Sequence, residues 1–183
     1  MNDELDKFFQ LFAKGEVEIY NEFSFQHELG IFLRHEFPEL KIQFERNVSY
    51  FDLDKAQYQK KEIDLVMFLD KSNVECVMEL KFPRNGQVPE TMFSFCKDIA
   101  FIEQLVKSGF KRGYFVAVVD DKAFYEGNPK GIYGLFRNGQ SITGHIQKPT
   151  GAKDKSLNIL GSYEAHWLTI SGAEKYCVIE ICS

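Results

Sequence analysis

The stretch Val74–Gly86, VECVMELKFPRNG, has the apolar density of a buried strand, yet it carries Glu79 and Lys81 on alternate positions and breaks at Pro83. Side chains alternate across a strand, so Glu79 and Lys81 share one face about 7 Å apart, while Met78, Leu80 and Phe82 fill the other. In a central strand, either charge left without a partner costs several kcal/mol. A metal ion, a mutual ion pair or a solvent-filled cleft must compensate, and an active-site cleft supplies all three.

Spacing alone does not single this stretch out. Glu39-Leu40-Lys41 repeats the pattern directly after Pro38, at a helix-to-strand junction, where it reads as surface charge. Two features distinguish the second copy: apolar positions close around it, and the apolar run just before it, EIDLVMFLD, carries one internal acid, Asp64. The polar turn Lys71-Ser72-Asn73 joins the two runs as a hairpin. Asp64 and Glu79 therefore fall on adjacent strands, where their carboxylates can meet at one end of a sheet. Converging carboxylates make a site for a hard cation, and Mg²⁺ suits one or two of them plus a substrate phosphate.

Outward from the hairpin, the N-terminal residues Asn2 to Ala13 are amphipathic and predict a short helix closed near Gly15. From Glu18 to Phe37 the apolar positions fit a second helical stripe, stopped by Pro38. LKIQFERNVSYF, from Leu40 to Phe51, reads as a first strand. A long helix is signalled from Pro89 to Gly109, with proline at its start and glycine at its end. RGYFVAVVDD then reads as a strand covered on both faces. Beyond Asp121 turn residues multiply; GIYGLFRNGQSITGHI predicts a hairpin turning at Asn138 and Gly139, and AHWLTI and KYCVIEIC predict two closing strands. The order helix, three strands, helix, strand, then a β-rich tail is that of an α/β (α+β) protein with a mixed central sheet flanked by helices. At 183 residues, without repeat or linker, the expectation is one domain over 1–183, with a core at about 18–120 and an extension at 121–183.

At these positions the chain resembles the PD-(D/E)XK nuclease superfamily, whose signature is an acid on one strand, a hairpin, and then (D/E)-x-K on the next. Asp64, Glu79 and Lys81 fill those positions, and the element order from Glu18 to Asp120 matches the superfamily's αβββαβ core. The proline of the family's name is missing, because Ile63 precedes Asp64. The resemblance implies the restriction-endonuclease-like fold and a metal-dependent nuclease, with DNA the expected substrate. It implies that Asp64, Glu79 and the backbone carbonyl of Leu80 hold Mg²⁺ or Mn²⁺, and that Lys81 orients or helps deprotonate the attacking water. It also implies a glutamate on the first core helix: Glu28 is the candidate, with Glu36 as a weaker rival. Gln104 matches a glutamine that some relatives carry on the second helix, although Ser108 stands where their tyrosine would fall.

Composition narrows the alternatives. A formal charge of −5 argues against coating nucleic acid through bulk positive charge, but not against local grip by a metal and a few lysines. Lys60, Lys61, Arg84, Lys97, Lys111 and Arg112 are the basic residues considered for a phosphate track, each weighed against ordinary surface charge. The cysteines Cys76, Cys96, Cys177 and Cys182 show no C-x-x-C pairing and read as reduced core thiols of a cytoplasmic protein. His27, His35, His145 and His166 form no metal-binding pattern, and the glycines between Gly127 and Gly151 match no nucleotide cradle. No apolar run approaches the ~20 residues of a membrane span, and the acidic N-terminus is unlike a signal peptide. The competing expectation keeps the fold without catalysis: a nuclease-fold binding or regulatory module whose charges merely pair. A homodimer is compatible with either.

Overall fold

The computed structural model describes residues 1–84, 86–137, 139–151 and 155–182. The two runs that decide the reading form strands β2 (Glu62–Asp70) and β3 (Asn73–Lys81), paired antiparallel across the Lys71-Ser72 turn. The Asp70 carboxylate accepts from the Ser72 amide at 2.8 Å and tightens that turn. Strand β1 (Lys41–Asn47) adds to the outer side of β2. It is shorter than expected: from Val48 the chain tightens into a 3-10 turn to Phe51, capped by the Asn47 side chain at the Ser49 amide.

The other elements in order are helix α1 (Asn2–Ala13), helix α2 (Glu22–Glu36), helix α3 (Val88–Lys107), strand β4 (Arg112–Val119), helix α4 (Tyr133–Arg137), and strands β5 (Ile142–Gln147), β6 (Ser156–Tyr163), β7 (Trp167–Ser171) and β8 (Glu174–Cys182). Six strands form one mixed sheet in the order β1-β2-β3-β4-β8-β7, and β5 pairs with β6 apart from it. Strands β3 and β4 are parallel at the centre, linked by α3 as a crossover, and the other neighbours are antiparallel.

The sheet is buried on both faces. Leu65, Met67, Met78, Leu80, Tyr114 and Val116 face α1 and α2, meeting Phe8, Phe25, Leu29 and Leu33. Val66, Val77, Phe115 and Ala117 face α3, meeting Phe95, Ile99 and Ile102. Alternation along β3 therefore sets Glu79 and Lys81 on the face of Val77, beneath α3. Helix α3 lies close against the sheet because β4 offers it a glycine: a Cβ at Gly113 would overlap the Ile102 side chain. Helix α2 begins at Glu22, four residues later than the apolar stripe predicts, because Asn21 and Ser24 form a reciprocal capping box with bonds of 2.8 and 3.0 Å.

The C-terminal part departs furthest from expectation. Tyr133–Arg137, read as a hairpin arm, is a short helix, with Arg137 donating to the Asn128 carbonyl at 2.9 Å. The turn assigned to Asn138 and Gly139 falls partly on Asn138, which lies outside the described residues. The strand that does pair with β5 is β6, which buries Leu157 and Ile159 in the core, packs Tyr163 against it and leaves Leu160 exposed. Three cysteines are buried as expected, but Cys182, at the end of β8, is exposed. Among the described residues no helix is long and apolar enough to cross a membrane.

Candidate active site

At the carboxyl end of β3 the β2–β3 ladder stops at the pair Leu65–Met78, and side chains take over the free backbone groups. The Asp64 carboxylate accepts from the Leu80 amide at 2.9 Å, and Glu79 lies 3.4 Å from the Asp64 amide. This exchange fixes both acids toward α3 and toward each other. The opposite side of β2 is held by Gln26 of α2, which donates to the Asp64 carbonyl and to Glu45. Glu45 adopts a left-handed backbone with φ +47°, a conformation uncommon for a side chain of this kind.

Lys60, just before β2, brings its ammonium among three carboxylates: it is bonded to Glu79, 3.1 Å from Asp98 and 3.6 Å from Asp64. Lys81 sits alongside, 3.4 Å from Glu22, 3.5 Å from Asp98 and 3.6 Å from Asp64. Glu79 is fully buried and the Asp98 side chain is 3% exposed, whereas Lys60 retains 30% of its exposure. The six residues Glu22, Asp64, Glu79, Asp98, Lys60 and Lys81 carry four carboxylates against two ammoniums, a formal charge of −2, with Glu22 half-exposed at the rim and the three other acids buried or nearly so. Burial pushes the Glu79 pKa well up, the charges of Asp64 and Asp98 add to that, and Lys60 opposes it. Burial works against both ammoniums, but the surrounding carboxylates outweigh it and raise Lys60 and Lys81 above an ordinary lysine.

The sequence-predicted residues divide. Asp64, Glu79 and Lys81 converge. Glu28 does not join them: its carboxylate meets neighbouring His27 at 3.4 Å, and Glu36 likewise meets His35 at 3.1 Å. The helix glutamate that reaches the cluster is Glu22, because the capping box starts α2 beside the end of β3, where Glu22 also accepts from the Phe82 amide at 3.3 Å. The Leu80 carbonyl, expected to hold metal, accepts from Nζ of its neighbour Lys81 at 2.8 Å. Gln104 acts on the backbone instead, accepting from the Gln59 amide at 3.1 Å and so fixing the approach to Lys60; Ser108 meets the Tyr58 hydroxyl at 2.6 Å in the same strap. Of the basic residues, Arg84 pairs with Asp120, Lys111 with Glu75 and Arg112 with Glu180, so none of the three shares the cluster's acids.

Asp98 and Glu22 are the residues that sequence reasoning missed, and Lys60, considered there only for a phosphate track, stands inside the cluster. Asp98 left a signal: it is a lone acid one helical turn from Phe95, Phe101 and Ile102 on the buried stripe of α3. Its Oδ2 accepts no hydrogen bond among the described residues. Among those residues no three histidine, cysteine or acidic groups already surround one metal position. The acids surround an ammonium, whose N–H···O contacts are about 2.7–2.9 Å at best, wider than the 2.0–2.1 Å of Mg²⁺. The donor set, three hard oxygen groups around one cationic position with Asp98 Oδ2 held only by a 3.5 Å ion pair to Lys81, is of the type a divalent cation takes, in the place of Lys60.

Lys81 and Glu22 open onto a groove of about 650 Å³ that Gln87, Glu90 and Thr91 also line, so the cluster has an outlet to solvent. The chain matches no family model, no curated protein and no solved structure.

Proposed function

We propose that the chain is a metal-dependent nuclease of PD-(D/E)XK type, a cytoplasmic hydrolase of phosphodiester bonds in nucleic acid, with DNA as the first substrate to test. The observation that carries this is that Asp64 and Glu79, from neighbouring strands, bind a single cationic group while the Lys81 ammonium stands beside them. The sequence of elements α2, β1, β2, β3, α3, β4 around that meeting point supports it.

In this reading Asp64, Glu79 and Asp98 would hold Mg²⁺ or Mn²⁺ in the place of the Lys60 ammonium, with the Leu80 carbonyl as a further candidate oxygen beside Lys81. When bound, the ion supplies a Lewis acid for the scissile phosphate and lowers the pKa of a coordinated water. Lys81 would place positive charge where negative charge grows as the water oxygen, having lost a proton to solvent, bonds to phosphorus and the ester P–O bond breaks, the departing oxygen taking up a proton from solvent. Glu22 orients Lys81 from the side of the groove. Lys60 turns outward, where its 30% exposure already leaves it room and where its charge faces an incoming phosphate.

A second reading is favoured by one observation, the internal pairing of Lys60 with the buried Glu79: a binding module whose charges neutralise one another without catalysis. Cleavage of labelled single-stranded DNA, duplex DNA and RNA in Mg²⁺ or Mn²⁺ separates the two. The nuclease reading expects activity in the wild type that is lost in Glu79→Ala and in Lys81→Ala. Activity that survives in both variants discards the mechanism, and equal inactivity of all three proteins on every substrate leaves the binding module.

A further inference from the structure

We propose that the groove between α3 and the β5–β6 hairpin holds the sugar-phosphate backbone of the nucleic-acid strand that the acid cluster cuts. This rests on the nuclease reading for the strand's destination, while the groove's own chemistry stands separately.

The groove, about 490 Å³, is lined by Gln59, Glu90, Lys97, Lys148, Lys155 and Ser156. In a chain of net charge −5, three lysines around one hollow run against the global balance. Among the described residues Lys97 and Lys155 have no acidic partner, and Lys148 alone is paired, 3.2 Å from Glu90. That contrasts with Arg84, Lys111 and Arg112, each matched to its own carboxylate. Lysine is suited to such a place, because its compact charge meets phosphate oxygens as a point charge without demanding a fixed geometry.

Position ties the groove to the site. Lys97 adjoins Asp98 on α3, and Gln59 adjoins Lys60 on the strap before β2, so floor and wall of the groove each lie one residue from the cluster. The groove beside Lys81 shares Glu90 with it, so the two hollows meet at the first turn of α3. A strand passing from one to the other would run from Lys97, Lys148 and Lys155 past Glu90 to Lys81, the cluster residue that opens onto the second hollow. Lys148 continues into a further hollow of about 490 Å³ that also holds Lys130.

The hairpin is fixed before any ligand arrives. The Glu103 carboxylate of α3 accepts from the amides of Leu160 and Gly161 at 2.9 and 2.7 Å and from the Tyr163 hydroxyl at 2.9 Å. Strands β5 and β6, which add nothing to the main sheet, thereby gain a role as the second wall of a basic channel.

Binding without cleavage tests this. Fluorescence anisotropy of a labelled DNA strand of about 20 nucleotides, long enough to fill such a channel, is measured in EDTA across a salt series. For Lys97→Gln/Lys148→Gln/Lys155→Gln we expect affinity to fall about tenfold or more at low salt, and the slope of log K against log salt to flatten by about 2, at roughly 0.7 per phosphate contact on a single strand. The pair Lys7→Gln/Lys14→Gln, at α1, should leave both unchanged. Lys97→Gln/Lys155→Gln alters only exposed side chains and should still weaken binding and flatten the slope, by about 1.4, if loss of the Glu90 partner unfolds the triple variant. Unchanged affinity and slope in the groove variants, an equal loss in the α1 pair, or no binding by the wild type overturns the proposal. Groove-dependent binding with no cleavage in any metal sinks the hydrolase alone; cleavage with groove-independent binding sinks the channel alone.

Discussion

The two ends of the central parallel pair, β3 and β4, carry similar residues and treat them differently. At the amino end Glu75 meets Lys111 at 2.6 Å and Glu180 meets Arg112 at 3.2 Å, one acid to one base, with the basic partners more than half exposed. At the carboxyl end three acids beneath α3, Asp64, Glu79 and Asp98, share two lysines, with the half-exposed Glu22 at the rim. Both ends are hollow: a depression of about 470 Å³ lined by Glu75, Lys111 and Arg112 faces the groove of about 650 Å³ at the other end. A cavity therefore does not distinguish them. Stoichiometry does, because exposed pairs satisfied one to one add little to stability, whereas a buried excess of acid calls for something further to neutralise it.

The sharpest way to break this contrast is to remove one lysine from each end. Lys81→Ala should lower the rate of metal-dependent cleavage by about 10²–10⁴-fold, the span of a positioned catalytic group, while Lys111→Ala leaves it within about twofold of wild type. Comparable losses in steady-state cleavage would mean that the ends are not functionally distinct.

Stability in the absence of metal gives the next effect. Lys60→Met leaves Glu79 and Asp98 short of a cation, and urea unfolding in EDTA should show a loss of about 3 kcal/mol. Lys111→Met removes an exposed pair and should cost less than about 1 kcal/mol. Divalent metal sharpens the result: at about tenfold over Kd, Mg²⁺ or Mn²⁺ should return about 1.4 kcal/mol to Lys60→Met. It should raise wild type less, since the ion must first displace Lys60. A wild-type gain equal to or above that of Lys60→Met would show that the ammonium does not compete for the site.

The smallest effect belongs to the amino end. The Tyr114 hydroxyl donates to Glu180 at 2.7 Å and holds its carboxyl below the usual carboxylate range. A folded-state pKa below the unfolded one contributes stability that is complete above the unfolded value and fades as pH falls through the folded one. Glu180→Gln should therefore be measurably less stable than wild type at neutral pH, with the difference shrinking below the ordinary carboxylate pKa. A gap that widens on acidification would contradict the assignment.

Much of the frame was legible because single physical signals decided it. Proline and glycine bracket α3, the polar turn between two apolar runs gives the β2–β3 hairpin, and the unbroken apolar run at β4 announces a strand buried on both faces. In the site, Glu79 was legible for the same reason that it matters: a charge in an apolar strand has to be answered. Asp98 obeyed the same rule on a helix, but one acid among several polar residues of α3 stands out only once the buried stripe is known. Glu22 depended on where α2 starts, which the Asn21 cap decides and the apolar periodicity does not. Lys60 and Lys61 are indistinguishable in sequence, and it is Lys60, next to the Gln59 amide that Gln104 holds, that turns inward. Strand β6 was missed because its short alternation of Leu157, Ile159 and Tyr163 is interrupted by the exposed Leu160 and by Gly161, and its pairing and Glu103 anchor hold it in place.

The missing methyl at Gly113 acts as a spacer gauge for all of this. Ile102 rests where that carbon would be, and Asp98 stands one helical turn before Ile102, so the height of its carboxylate above Glu79 is calibrated from the far end of β4. Thickening the floor by a single carbon would tilt the helix like a lever and carry the third acid out of reach of the ammonium it now shares.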